Sequence, residues 1–329
     1  SGRINLQNAI VSDATIGGTL SVNTATTTSG DSGNVILGDV TNGLGNVNSV
    51  SVNTDGAGTD GTLTIADADA SGTAQIIVNT GNIDFTNASA VVLAENTSMT
   101  TTGGNVLFAT AGTLRATTQG DETLTIDASG GGNNGDVTIG TVGDNNKELG
   151  ELTVTTGSSG TLALHGNIST DATGSGNGDV DFDAAIVTDI DLMTNITIDT
   201  QVSAANAGVI SFATTSAIDG AFTLSLDAST AGGGTAGTVQ LGNVGGTTPL
   251  AGLTVSGTTG NFYGDISTDD NGTTNDGVDM SGLSEVVLRE SVSIDTEAGG
   301  DADGGAIDLG TSSVGANAND FGLTLDARG

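Results

Sequence analysis

The sequence predicts an all-β fold, a right-handed parallel β-helix (β-solenoid) in which one chain winds through about three repeats of roughly 100 residues each. Three observations carry that expectation. Short strand-like stretches return at a fixed interval, "TLTIDA" at 123–128 becoming "TLSLDA" at 223–228 and "LTLDA" at 323–327. Apolar and polar residues alternate inside each stretch, the period of a strand with one buried face. The composition then supplies turns rather than helices, with 54 glycines, one proline, 2% aromatics and apolar residues drawn from Val, Ile, Leu and Ala.

The elements follow in chain order. "GRINLQ" (2–7) opens the chain as a further copy of a strand that ends the repeat, seen again as "GNVLFA" (104–109), "GVISFA" (208–213) and "GAIDLG" (305–310). The repeat proper begins with the Leu20 and Val22 strand, whose counterparts are Leu124 and Ile126, Leu224 and Leu226, and Leu323 and Leu325; all should point inward. The Asp127, Asp227 and Asp326 that follow, with Asn23 in the first copy, should turn the corner by accepting a hydrogen bond from their own backbone. "GNVILGDV" (33–40) comes next and returns as "GDVTIGTV" (135–142) and "GTVQLGNV" (237–244), 102 residues apart each time. "SVSVNT", "ELTVTT" and "GLTVSG" start at 49, 151 and 252. "GNIDF", "GDVDF" and "GVDM" start at 81, 178 and 277, and "VVLAENTSM", "IDLMTNITI" and "VVLRESVSI" at 91, 190 and 286.

These copies divide the chain into the end of a preceding repeat (1–18), repeats at 19–122, 123–222 and 223–321, and the start of another (322–329), all within one continuous solenoid. Each strand is expected to be one rung position of a coil. With coils of about 20 to 30 residues, one repeat makes roughly three to five coils and rises about 15 to 25 Å. Tandem sandwich domains would show the same periodicity. They would also need linkers and large core residues, whereas this chain has no Trp and one Tyr.

Charge and composition exclude several function classes. Of 39 acidic residues 32 are Asp, which favours turns, and a net charge of −34 repels nucleic acid and anionic lipid. No apolar run is long enough to insert into a membrane. The absence of cysteine removes disulfides and thiol chemistry.

"GTVQLGNVGGTTPLAGLTVSG" (237–257) resembles the repeat tracts of giant bacterial surface proteins of the filamentous haemagglutinin-like, adhesin-like class, and the similarity extends over the whole chain. The resemblance implies a secreted β-helical stalk or fibre at the cell surface.

Candidate chemistry is sparse. His165 is the single histidine, and Ala66 and Tyr263 stand in its place in the other copies, the pattern of an outward strand residue rather than of a general base. Asp179, Asp181 and Asp183 have the i, i+2 spacing of paired acids on one face, but the other copies keep one acid each, Asp84 and Asp279. No catalytic residue and no enzymatic activity are therefore expected. "GGDADGGAIDLG" (299–310) makes Asp301 and Asp303 the candidate Ca²⁺ ligands, through carboxylates at a glycine-rich turn. Sequon-like triplets start at Asn87, Asn96, Asn167, Asn195 and Asn271. The expected partners are further copies of the fibre, end to end or side by side. A glycan or cell-surface receptor is the competing expectation, and Phe262 with Tyr263, or Arg289, would mark its binding face.

Overall fold

The computed structural model describes residues 3–6, 18–27, 30–40, 47–66, 72–132, 135–144, 146–173, 177–183, 189–201, 206–230, 233–269, 277–298, 304–316 and 320–327. Among them, every pairing between named strands is parallel, and the one helical element is a 3-10 turn at Gly130–Gly132. The chain is a β-solenoid with three strand positions per coil. Successive strands fall on a first face, a second face and a third face, then return to the first one coil further on. The first face is a 12-stranded sheet running from Thr19–Asn23 to Leu323–Asp326. The second and third faces are two ladders of one 20-stranded sheet, joined where Gly252–Phe262 and Val278–Leu288 each run through both.

Burial follows the sequence pattern. Leu124, Ile126, Leu224 and Leu226 point into a continuous apolar interior together with Val137, Ile139, Val180 and Phe182. At 208–213, where "GVISFA" offers two adjacent apolar residues, the structure buries Ile210 and leaves Val209 37% exposed. Phenylalanines stack one coil apart, Phe85 on Phe108 and Phe182 on Phe212, edge to face at 5.8 and 5.4 Å between ring centres. Leu323 and Leu325 lie in the last described coil, where Leu325 is 49% exposed.

Turn chemistry divides between the two ends of each strand. At the exit, Asn23, Asp127 and Asp227 accept the N–H of the residue two positions on, at 2.8, 2.9 and 2.9 Å, as their sequence positions predict. At the entry, Asn or Asp reaches along the solenoid axis instead. Asn82 Oδ1 accepts the Asn105 N–H, Asn105 Oδ1 that of Asp136, and Asp136 Oδ1 that of Thr161, at 2.9, 2.9 and 3.1 Å. The glycine before each such residue is equally constrained. A Cβ on Gly135 would stand 1.8 Å from the Gly104 carbonyl oxygen, and one on Gly104 1.9 Å from that of Gly81. Glycine-Asn and glycine-Asp pairs are thus the joints at which one coil seats on the next, which explains much of the glycine content.

Loops leave the coil without opening it. Buried Thr200 and Thr296 donate their hydroxyls to the carbonyls of Gly208 and Gly305, at 3.0 and 2.6 Å, pinching the two ends of a loop together. Coil length therefore varies: 21 residues separate Val239 from its partner Gly260, and 36 separate Val40 from Ile76. The upper value exceeds the expected range because extruded residues add nothing to the rung.

The recurring strand does not recur on one face. Thr19–Asn23 lies on the first face, Thr123–Asp127 on the third, Thr223–Asp227 on the second, and Leu323–Asp326 on the first again. Counting gives the reason. Among the described residues, the second copy holds 11 strands from Thr123–Asp127 to Ala217–Asp219. The third holds 9 strands, two of which cover two faces each, and the first holds 10 strands plus the isolated Val40–Ile76 bridge. Eleven positions distributed over three faces leave each copy one face short of four coils, so successive copies are rotated by a third of a turn. The inward direction of the strand is a property of the repeat; its azimuth is not.

Candidate functional site

The paired acids expected from sequence come from the strand Val180–Phe182 on the third face. Leu152 pairs with Val180 and Thr153 with Asp181, a register that sets Glu151 beside Asp179. Glu151 is thus a fourth acid in this patch, one that strand spacing alone does not reveal because it lies a coil away. Partial burial holds its carboxyl above the usual range, with the charges of Asp179 and Asp181 adding to the effect and the Thr153 hydroxyl, 3.3 Å away, opposing it. Asp179 and Asp181 share the outer face, as the i, i+2 spacing requires. Each also holds backbone: Asp179 Oδ1 accepts the Val209 N–H of the next coil and Asp181 Oδ1 the Asp183 N–H, both at 2.7 Å. Asp183 leaves the pair around the turn and accepts Gln240 Nε2 at 2.9 Å.

His165 sits at a corner, directly after the strand Thr161–Leu164, rather than within a strand; it is half-buried, and burial lowers its imidazole pKa. Its counterparts Ala66 and Tyr263 likewise follow strands, and Ala66 is buried. Of the residues expected to mark a receptor face, Phe262 is buried in the core. Arg289 donates through Nε and Nη2 to Asn261 Oδ1, at 2.9 and 2.6 Å, bracing neighbouring coils. The sequon residues Asn96, Asn167 and Asn195 each accept a backbone N–H from the next coil, those of Thr123, Thr197 and Thr223. Asp301 and Asp303, the expected Ca²⁺ ligands, lie outside the described residues, as does Asn271.

A different acidic group lies in the corner between the second and third faces, and sequence reasoning missed it. Glu122, Glu148 and Asp171 occupy three successive coils there and are 6%, 3% and 1% exposed. Their backbones interlock, Gly120 donating to the Glu148 carbonyl, Gly150 to that of Glu122, and Asp171 to that of Leu149, each at 2.9 Å. Half-buried Asp199 follows on the next coil. Its carboxyl is held above the ordinary range first by burial and then, against a Gln201 N–H that lowers it, by the charges of Asp227, Asp171 and Glu148. The available signal was the scarcity of Glu: 7 in the chain, with Glu122 and Glu148 each just ahead of a third-face strand. Among the described residues no three His, Asp or Glu side chains converge closely enough to ligate one ion.

Comparison of the chain with protein-family models, curated proteins and solved structures finds no match. The β-solenoid therefore stands on strand pairing alone.

Proposed function

We propose that the chain is a structural segment of a long secreted or cell-surface β-solenoid fibre or stalk and performs no catalysis. The observation that carries this reading is the mismatch of eleven strand positions with three faces. A surface that binds a repeating ligand along the axis needs the same outward residues stacked on one face, whereas here each repeat turns its outward residues to a new azimuth. What recurs in every copy is the means of adding coils: inward apolar residues, glycine joints and Asn or Asp bridges between coils. Each coil satisfies its backbone through the coils above and below, so the rod lengthens without enlarging its core. The acidic exterior keeps it hydrated, and stacking of further copies end to end or laterally is the partner relation that suits such a rod.

The competing reading is an adhesin tract holding a glycan or receptor. Chains of three and six repeats, compared for rod length by cryo-electron microscopy and for retention on a glycan array, separate the two. The spacer reading expects the rod to gain about 50 Å, at about 4.8 Å per coil, with no retention. Saturable retention of either chain would replace it with the adhesin reading.

A further inference from the structure

The corner between the second and third faces buries carboxylates more deeply than anything in the turn chemistry requires. Charged groups removed from water need a hydrogen-bond donor or a countercharge for each oxygen. Glu122 has donors: its carboxylate accepts the Thr117 hydroxyl and, at 3.1 Å, the Thr118 N–H. Asp171 has donors as well, the Thr173 N–H at 2.9 Å and Gln119 Nε2 at 2.7 Å. Glu148 differs. Its Oε2 is buried and meets no hydrogen-bond donor among the described residues. Lys147, its neighbour in sequence, donates its ammonium to the Thr117 carbonyl instead. The segment 117–122 crosses above Glu148, bonded to its carbonyl through Gly120 and reaching through Gln119 to Asp171 one coil further on. The bare oxygen is thus roofed over, with Asp171 and Asp199 on the following coils.

We propose that Glu148 anchors a divalent-cation site in this corner, with Ca²⁺ the fitting ion. Ca²⁺ takes carboxylate, carbonyl and water oxygens in a tolerant geometry, which suits a corner rich in loop carbonyls; Mg²⁺ demands a stricter octahedron. Because no three carboxylates converge among the described residues, the ion takes Glu148 Oε2 with at most one further carboxylate, Asp171 or Asp199, and completes its shell with backbone carbonyls and water. So few charged ligands place the affinity at the weak end, with a Kd of about 10⁻⁴–10⁻³ M. The site clamps three coils under one strap, so its occupancy stiffens the corner where the coil is otherwise held by loops.

The test is a calorimetric titration of the full chain with CaCl₂ at constant ionic strength, paired with thermal midpoints in EGTA and in about 10 mM Ca²⁺. The wild-type chain is expected to give a saturable heat and a higher midpoint with Ca²⁺. Glu148→Gln should weaken binding by about tenfold or more and abolish the midpoint shift, with its β-sheet circular dichroism unchanged. Glu285→Gln, at an exposed acid on the third face, should bind as wild type. An Asp301→Asn/Asp303→Asn variant should also retain binding, separating this site from the glycine-rich turn. No saturable heat, or equal binding by Glu148→Gln and wild type, overturns the proposal. Should Glu148→Gln not fold, an anomalous map of Tb³⁺-soaked wild-type crystals decides instead: a peak at Glu148 Oε2 supports the site, and peaks only elsewhere overturn it.

Discussion

The corner between the second and third faces is built in two ways within the same chain. The second-face strands end at Asp199 and Asp227, and the third face resumes only at Ile210 and Thr238. One coil later that break is gone: Gly252–Phe262 runs through both faces as a single strand, and so does Val278–Leu288. Ser256, Gly257, Ser281 and Gly282 lie at the bend, where the two strands slip register between Thr254 and Ser256. A Cβ on Gly282 would stand 2.3 Å from the Ser256 hydroxyl oxygen and 2.8 Å from its Cβ, so the close seating of these two strands depends on small residues. The comparison teaches that the coil closes without a loop, given small residues at the bend. Loops are additions, and among the described residues the deeply buried acids of this corner arrive with them.

The sharpest way to break the comparison is to disturb each version of the corner in turn, the continuous strand with a proline and the looped version with an insertion. In the continuous strand, Thr258 donates its N–H to the Gly237 carbonyl at 2.8 Å. Thr258→Pro removes that bond inside a ladder paired on both sides and should cost about 3 kcal/mol or more, read as a fall in chemical-denaturation midpoint. In the looped version of the corner, three Gly-Ser residues inserted after Gly233 lengthen an extruded loop and should cost about 0.5 kcal/mol. Equal losses for the two changes would mean that the loop is part of the rung.

The glycine joint sharpens the comparison at a smaller scale. Gly237 closes the looped corner, and a Cβ there would lie 1.8 Å from the Gly208 carbonyl oxygen, a backbone atom with little room to yield. Gly237→Ala should therefore cost about 2 kcal/mol. Gly246→Ala, where a new Cβ meets nothing within 4 Å, serves as the control and should leave the midpoint nearly unchanged.

Most of the fold was legible in sequence because it rests on local rules. Alternation placed Leu124, Ile126, Ile196 and Ile198 inward, and an Asp after the strand turned the chain at Asp127 and Asp227. Azimuth was not legible, because "TLTIDA" and "TLSLDA" obey the same local rules on the third face as on the second. Only the number of strand positions between them, eleven from Thr123–Asp127 to Ala217–Asp219, decides the face. The corner acids were hidden for a related reason. Glu122, Glu148 and Asp171 are scattered over 50 residues of loop-like sequence, and they come together through coil stacking, which no local spacing encodes.

The smallest expected effect is in pH dependence, and its sign separates the looped corner from ordinary turn acids. Asp199 and Glu151 are held above their usual range in the folded chain by burial and neighbouring acids. The native state therefore binds protons at a higher pH than the unfolded chain does, and stability falls as pH rises through that window. Acidification from neutrality should accordingly raise the thermal midpoint, the gain being complete near the unfolded carboxylate value of about 4. Exposed Asp60 works in the opposite direction: the Gly56 N–H, first, and the Ser89 hydroxyl lower its pKa, so its contribution is present above the unfolded value and is lost as pH falls below it. The midpoint should thus climb gently on acidification and turn over in strong acid. Asp199→Asn removes one of the two raised groups and should lessen the climb, with the Glu151 contribution and the acid limb left in place. If the climb survives that substitution unchanged, its source lies outside this corner. Amide exchange of the Asp199–Ile210 segment, followed beside that of Gly252–Phe262, places it: slowing on acidification is expected in the first and not in the second.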